Sequence, residues 1–279
     1  MWTLIVRRFR SLIALLLLTV ALTVCGAALT KPDVELKLSD QQLSWIAGKI
    51  YQNECAGKVD CLVHWSEGEA FPTLGIGHFK WYPKGVEAPY AESFPELVQY
   101  MASESVGMPE WLADMNPIDA PWPDRETFLL HQHGPQVEFL RWFLDETRHI
   151  QARFMYERTQ DSLDEILDAT PKEDRPAMRE RMDELRSTLG GIYALIDYVN
   201  FKGEGLSDRE AYHGQGWGLR QVLLRMDDID QGTALERFRV AAADVLKQRA
   251  NNAPNADERK KWLAGWLNRV STYRDLGQV

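Results

Sequence analysis

The chain reads as mainly α with a small β component, an α+β class. Apolar residues recur at helical spacing from Arg125 to about Ala169, from Ala234 to Ala250 and from Glu258 to Leu276. Only Val63 to Phe79 mixes β-branched residues with glycines as a short β region does. The 279 residues, 45% hydrophobic and 26% charged, fit a globular chain with no low-complexity linker and no internal repeat. A single domain is therefore expected over residues 30–279.

The first element precedes that domain. Arg7, Arg8 and Arg10 are followed by an apolar run from Leu12 to Leu29, the composition of an export signal cleaved after Ala28. The same run is long enough for an uncleaved membrane anchor through residues 12–29, and Leu22-Thr-Val-Cys25 approximates a lipoprotein box. Each reading places the remainder outside the cytoplasm, in the periplasm or cell envelope.

Ser39 and Asp40 open a first helix from Leu38 to Glu54, with Trp45, Ile46 and Ile50 as apolar positions. Glu54 closes it, where partial burial is expected to raise the proton affinity of its carboxyl. A hairpin-like region follows, in which Thr73-Leu-Gly-Ile-Gly-His78 alternates as a closely approached strand would. Prolines from Pro83 to Pro123 then punctuate an irregular stretch with short helices at Pro95 to Ser103 and Pro109 to Met115.

Between Arg125 and Ala169, Leu163, Ile166 and Leu167 form a narrow stripe opposite Asp161, Asp164, Glu165 and Asp168, the pattern of a solvated helical hairpin. Pro171 and Pro176 mark the turn into a helix from Ala177 to Leu189. Gly190-Gly191 opens another running to Tyr198, and Gly214-Gln-Gly-Trp-Gly218 is a loop before the helix Leu219 to Met226, its glycines free to turn backbone amides toward a ligand.

Two acids and a hydroxyl surround the glycine-rich turn: Glu54, Glu67 and Thr73. Cleaving a glycosidic bond requires a protonated carboxyl for the leaving oxygen and a second, ionised carboxylate. Aromatic residues accompany them; Trp65 and Trp217 stand beside polar or glycine residues and are candidates for stacking on sugar rings as well as for the core.

These residues resemble the phage-type lysozymes and endolysins of the lysozyme-like superfamily. The resemblance rests on Glu54 with Thr73 to His78, on Ala194 to Gly205 with its terminal Asn-Phe-Lys-Gly-Glu-Gly, and on Trp262 to Tyr273, in that order along the chain. It departs from the family pattern in having Cys55 after the acid, Glu67 in place of an aspartate, additional residues between the acids, and an unmatched insertion at about 81–189.

The resemblance implies a two-lobed lysozyme-like fold and cleavage of β-1,4 bonds in peptidoglycan. Glu54 would be the general acid, Glu67 the second carboxylate and Thr73 the residue that places water, with Gly75, Gly77, His78 and Asn200 around the substrate. Arg269 in the last helix is the candidate cation for Glu54. Two alternatives accompany this reading: a lytic transglycosylase-like enzyme that uses Glu54 alone, and a non-catalytic glycan-binding or envelope scaffold protein.

Beyond the leader, Cys55 and Cys61 form an even pair suited to a disulfide in an oxidising compartment. His131-Gln-His133 and Glu146 to His149 lack zinc-helix spacing, so no metal and no cofactor are expected. The formal charge of -9 argues against nucleic acid or an anionic membrane surface as the main partner; a glycan partner, peptidoglycan or muropeptide, is what the resemblance implies.

Overall fold

The computed structural model describes residues 38–87 and 90–277; the export-signal reading of residues 1–29 lies outside them. Among the described residues no helix is long and apolar enough to cross a membrane. Helices dominate the described residues, which also form one three-stranded and one two-stranded antiparallel sheet.

Helix α1 (Asp40–Cys55) starts at a capping box. The Ser39 hydroxyl accepts the Gln42 amide, while the Gln42 side chain accepts the Ser39 amide at 2.9 Å. Leu43, Ile46, Ala47 and Ile50 are buried along one stripe. Ala56 ends the helix in the left-handed region, φ 49°, with its amide on the Gln52 carbonyl.

Strands β1 (Val63–His64), β2 (Thr73–Leu74) and β3 (Phe79–Lys80) lie in the order β1-β2-β3, with His64 opposite Thr73 and Thr73 opposite Lys80. The strand expected through His78 stops at Leu74, because Gly75 at φ 68° and His78 at φ 47° turn the chain back. Gly75 donates to the Leu62 carbonyl at 2.8 Å, and Ile76 donates to buried Gln151 Oε1 at 2.8 Å. A Cβ on Gly75 would stand 2.3 Å from that oxygen, and one on Gly77 would stand 2.6 Å from the Phe79 ring. Both glycines therefore serve the turn and its close packing.

Helices α2 (Phe94–Ser103), α3 (Glu110–Ala113), α4 (Arg125–His131) and α5 (Pro135–Glu146) lead to α6 (Arg148–Asp168). The solvated hairpin expected for α6 is not what forms. Its apolar stripe continues backward through Met155, Phe154 and Ala152, and it packs along α1, against α2 and α7 (Arg175–Arg186), and against α8 (Leu189–Lys202). The segment from about 81 to 189 thus contributes a central helix, and Leu38–Val279 forms one compact unit. Each fully buried leucine, isoleucine or phenylalanine in that core contributes roughly 1.5–3 kcal/mol before entropy is counted.

Thr188 caps α8, accepting the Gly191 amide at 3.0 Å, so Gly190 and Gly191 lie inside the first turn rather than ahead of it. Added Cβ atoms there would meet the Arg274 backbone at 2.8 Å and the Leu185 carbonyl at 2.0 Å. The helix runs a full turn past Tyr198 to Lys202.

The hairpin β4 (Ala211–Tyr212) and β5 (Gln215–Gly216) turns through His213 and Gly214, both at positive φ, as a two-residue turn demands. Gly218 then touches Gly205; a Cβ on it would fall 2.2 Å from the Gly205 nitrogen. Its glycine is explained by this contact rather than by an amide turned to a ligand. Helices α9 (Leu219–Arg225) and α10 (Ala234–Asn252) follow, the latter opened by a Thr233/Glu236 capping box. A wide π turn at Glu258–Trp262 feeds α11 (Leu263–Ser271), so the closing helix stops short of Leu276.

Candidate functional site

Glu54 occupies the last turn of α1. A helix C-terminus disfavours negative charge, and three other segments supply what α1 cannot. From α11, Arg269 Nη2 donates to Glu54 Oε1 at 2.6 Å; from the end of α8, Asn200 Nδ2 donates to the same oxygen at 3.1 Å. From the β2–β3 turn, His78 Nδ1 stands 3.4 Å from Oε2. Glu54 keeps 13% of its side-chain surface exposed.

Arg269 is itself held by Asp197 of α8, which is fully buried. Nε donates to Oδ2 at 2.8 Å and Nη2 to Oδ1 at 2.9 Å, while Tyr273 Oη donates to Oδ2 at 2.7 Å and Asn53 Nδ2 to Oδ1 at 3.3 Å. The guanidinium is thereby fixed between two carboxylates, and they push its proton affinity well above the usual arginine range against the cost of burial.

Burial alone would raise the proton affinity of the Glu54 carboxyl, and it is the largest single influence. The Arg269 charge, His78 and the hydrogen bonds from Arg269 and Asn200 outweigh it, and the net direction is down. The upward shift expected from sequence is thus reversed, because α11 brings a cation into direct contact.

Cys55 and Cys61 form a disulfide with 5.4 Å between Cα atoms. Cys61 Sγ lies 3.2 Å from His78 Nε2, so the bridge meets the imidazole at its other nitrogen, away from the one that stands beside Glu54. The two sulfurs and the imidazole cluster within 4.8 Å, a spacing open to a metal ion, but sulfurs joined in a disulfide offer no thiolate to ligate one.

Of the residues singled out in the sequence, Glu54, His78, Asn200 and Arg269 meet. Glu67 lies in an exposed turn after β1 and makes no hydrogen bond or ion pair among the described residues. Thr73 is half-buried on the central strand β2, its hydroxyl unbonded. Trp65 is a core residue, 2% exposed, its ring against Phe128 and its Nε1 donating to the Glu69 carbonyl; it has no face to offer a sugar. Trp217 is also buried, between Tyr212 and the Arg249 guanidinium, whose carbon is 4.0 Å from a Trp217 ring centroid.

Sequence reasoning missed Asp197 and a group of aromatic and cationic side chains next to Arg269. Phe201 carries the Arg269 guanidinium 4.3 Å from its ring centroid, Lys202 Nζ lies 3.8 Å from the Trp266 centroid, and Trp266 approaches Phe201 at 6.5 Å. Trp262, Trp266 and Arg269 recur at i, i+4 and i+7, the spacing of one helix face, and that signal was available. Two surface concavities of about 320 Å³, one beside Gly205 and Gln221 and one between α10 and α11, are lined by none of the Glu54 cluster; geometry and charge, not concavity, single out this site.

No protein-family model, no curated protein and no solved structure matches this chain.

Proposed function

We propose that the chain is an exported, lysozyme-like glycosidase that cleaves β-1,4 bonds between amino sugars of peptidoglycan, with Glu54 as the carboxyl that protonates the leaving oxygen. One observation carries this reading: three separate segments converge on one partly accessible glutamate at the end of a fourth. A merely solvated acid gathers no such set of partners. The helical body with a small sheet beside the end of α1 is compatible with the two-lobed arrangement the resemblance implies.

In the free protein Glu54 favours its ionised form, whereas a general acid must hold a proton. A saccharide laid over Glu54 excludes water and deepens burial, the influence that raises its proton affinity. Proton loading is then coupled to substrate binding, and Arg269 sets how tightly. Thr73, with its free hydroxyl, is the residue that orients water.

Glu67 bears on a second reading. A solvated, unpartnered carboxylate is poorly placed to share the chemistry, and this favours a transglycosylase-like reaction in which Glu54 works alone and an anhydro sugar forms. Mass spectrometry of digests of purified peptidoglycan tests both readings, using wild type, Glu54→Gln and Glu67→Gln. Reducing ends lost in either variant support the two-carboxylate hydrolase. Anhydro ends lost only in Glu54→Gln support the second reading. No product from wild type refutes catalysis and leaves glycan binding.

A further inference from the structure

Asn200, Phe201 and Lys202 close α8 in succession, and each side chain takes a different place. Asn200 bonds Glu54, and Phe201 lies under Arg269. Lys202 Nζ stands between two rings, 3.9 Å from the Phe201 centroid and 3.8 Å from the Trp266 centroid.

The charged groups around Lys202 are Arg249, Glu258, Arg269 and Glu54. Both carboxylates are committed elsewhere. Glu258 receives Arg249 through two bonds of 3.0 and 2.9 Å and the Tyr212 hydroxyl at 3.0 Å; Glu54 receives Arg269 and Asn200. Lys202 Nζ makes no hydrogen bond or ion pair among the described residues. Burial first, then the Arg249 charge, pushes its ammonium down to about 6. It is a cation site with aromatic walls and no anion.

The walls lead outward. Trp266 is half-buried, and its neighbour Trp262, 6.2 Å away between centroids, is 51% exposed. A continuous series of contacts thus joins Glu54, Arg269, Phe201, Lys202, Trp266 and Trp262, from a covered carboxylate to an open indole. Indole faces suit the apolar faces of pyranose rings. The amine at the inner end, once protonated, suits a carboxylate.

We propose that Phe201, Lys202, Trp266 and Trp262 form a subsite for a carboxylate-bearing saccharide, its ring on the exposed indole of Trp262 and its carboxylate on Lys202 Nζ, with Phe201 and Trp266, the latter also covered by Arg249 at 4.9 Å, walling the amine. This deepens the glycan reading of the Glu54 site and rests on it. Such a ligand supplies the counter-ion that the protein withholds, so binding at neutral pH takes up a proton as Lys202 becomes charged. Glu54, Arg249, Arg269 and Glu258 face the same amine, and their mutual pairs are already formed in the free protein.

The test is isothermal titration calorimetry of the full chain carrying Glu54→Gln, which prevents turnover. The probes are a tetrasaccharide containing N-acetylmuramic acid with its free lactyl carboxylate and the matched neutral chitotetraose. At pH 6 the acidic probe is expected to bind about tenfold tighter than the neutral one, the preference shrinking by pH 8 and the heat differing between phosphate and Tris buffers. Lys202→Met removes the preference, so that the two probes bind alike. Lys202→Arg keeps the preference and abolishes its pH dependence, because a guanidinium stays charged. Trp262→Ala weakens both probes.

Equal binding of the two probes to the parent protein, or a preference that survives Lys202→Met, overturns the subsite while leaving the glycan reading intact. Failure of both probes to bind overturns both.

Discussion

Arg269→Gln is the perturbation with the largest consequence. Arg269 makes two bonds to Asp197 and one to Glu54, and its partners are 0% and 13% exposed. Removing the guanidinium leaves two covered carboxylates without their cation. Breaking a buried ion pair from one side costs about 3–5 kcal/mol. At roughly 2–4 °C per kcal/mol for a domain of this size, the melting temperature should fall by about 6–20 °C at pH 7.

The pH dependence fixes the cause. In wild type the Glu54 carboxyl is held below its ordinary range, so its contribution is present at neutral pH and lost as pH falls through that lowered value. In the variant, burial dominates, and the folded carboxyl prefers the proton. The penalty is then full at pH 7 and relieved as pH falls through the raised value. Urea unfolding at pH 7 and at about pH 4 should therefore show a wide gap between the proteins that closes in acid. A loss below about 1 kcal/mol at pH 7, or an equal loss at both pH values, would refute the role given to Arg269.

Two further outcomes follow from the turn beside the site. Gly75→Ala combines a left-handed backbone with a 2.3 Å approach to Gln151 Oε1, and should lower the urea-derived stability by roughly 2–4 kcal/mol; a change within experimental error would show that the turn relaxes freely. Cys55→Ala with Cys61→Ala opens a short loop, sequence separation 6, which should cost about 2 kcal/mol. Reducing the wild type with dithiothreitol should reproduce that loss, and no difference between reduced and oxidised protein would show that the bridge does not constrain the unfolded chain.

What the sequence makes legible is local. Ser39 with Gln42 and Thr233 with Glu236 are capping pairs that mark their helices directly, and Cys55 with Cys61 are close enough in sequence for the bridge to be foreseen. Glu54 and Arg269 could be matched because the resemblance places the acid at the end of the first helix and the cation in the last. What stayed hidden depends on tertiary packing. The alternation from Thr73 to His78 looks like a strand, yet Gln151 from α6 caps it as a turn. The stripe on α6 looks narrow because Gln151, Thr159 and Ser162, polar but buried, extend it. Trp65 beside polar residues looks available, yet a chain carbonyl satisfies its indole N–H and frees the ring for the core. The direction of the Glu54 shift depended on a contact between residues 215 positions apart.

The π turn at Glu258–Trp262 gives the last helix its phase. An α-helix advances about 100° per residue, and a π turn takes up one residue more than an α turn does. Glu258 pins this turn from inside, clamped by Arg249 and Tyr212. Removing a single residue from it would rotate α11 by about 100°, swinging Trp266 off Lys202 and Arg269 off Glu54 and Asp197 together. The exposed neighbours Arg259, Lys260 and Lys261 are free to vary without altering that angle. Two pieces of chemistry, the cation on Glu54 and the aromatic wall beside Lys202, are therefore geared to one another: no drift in sequence length at this turn can tune one and spare the other.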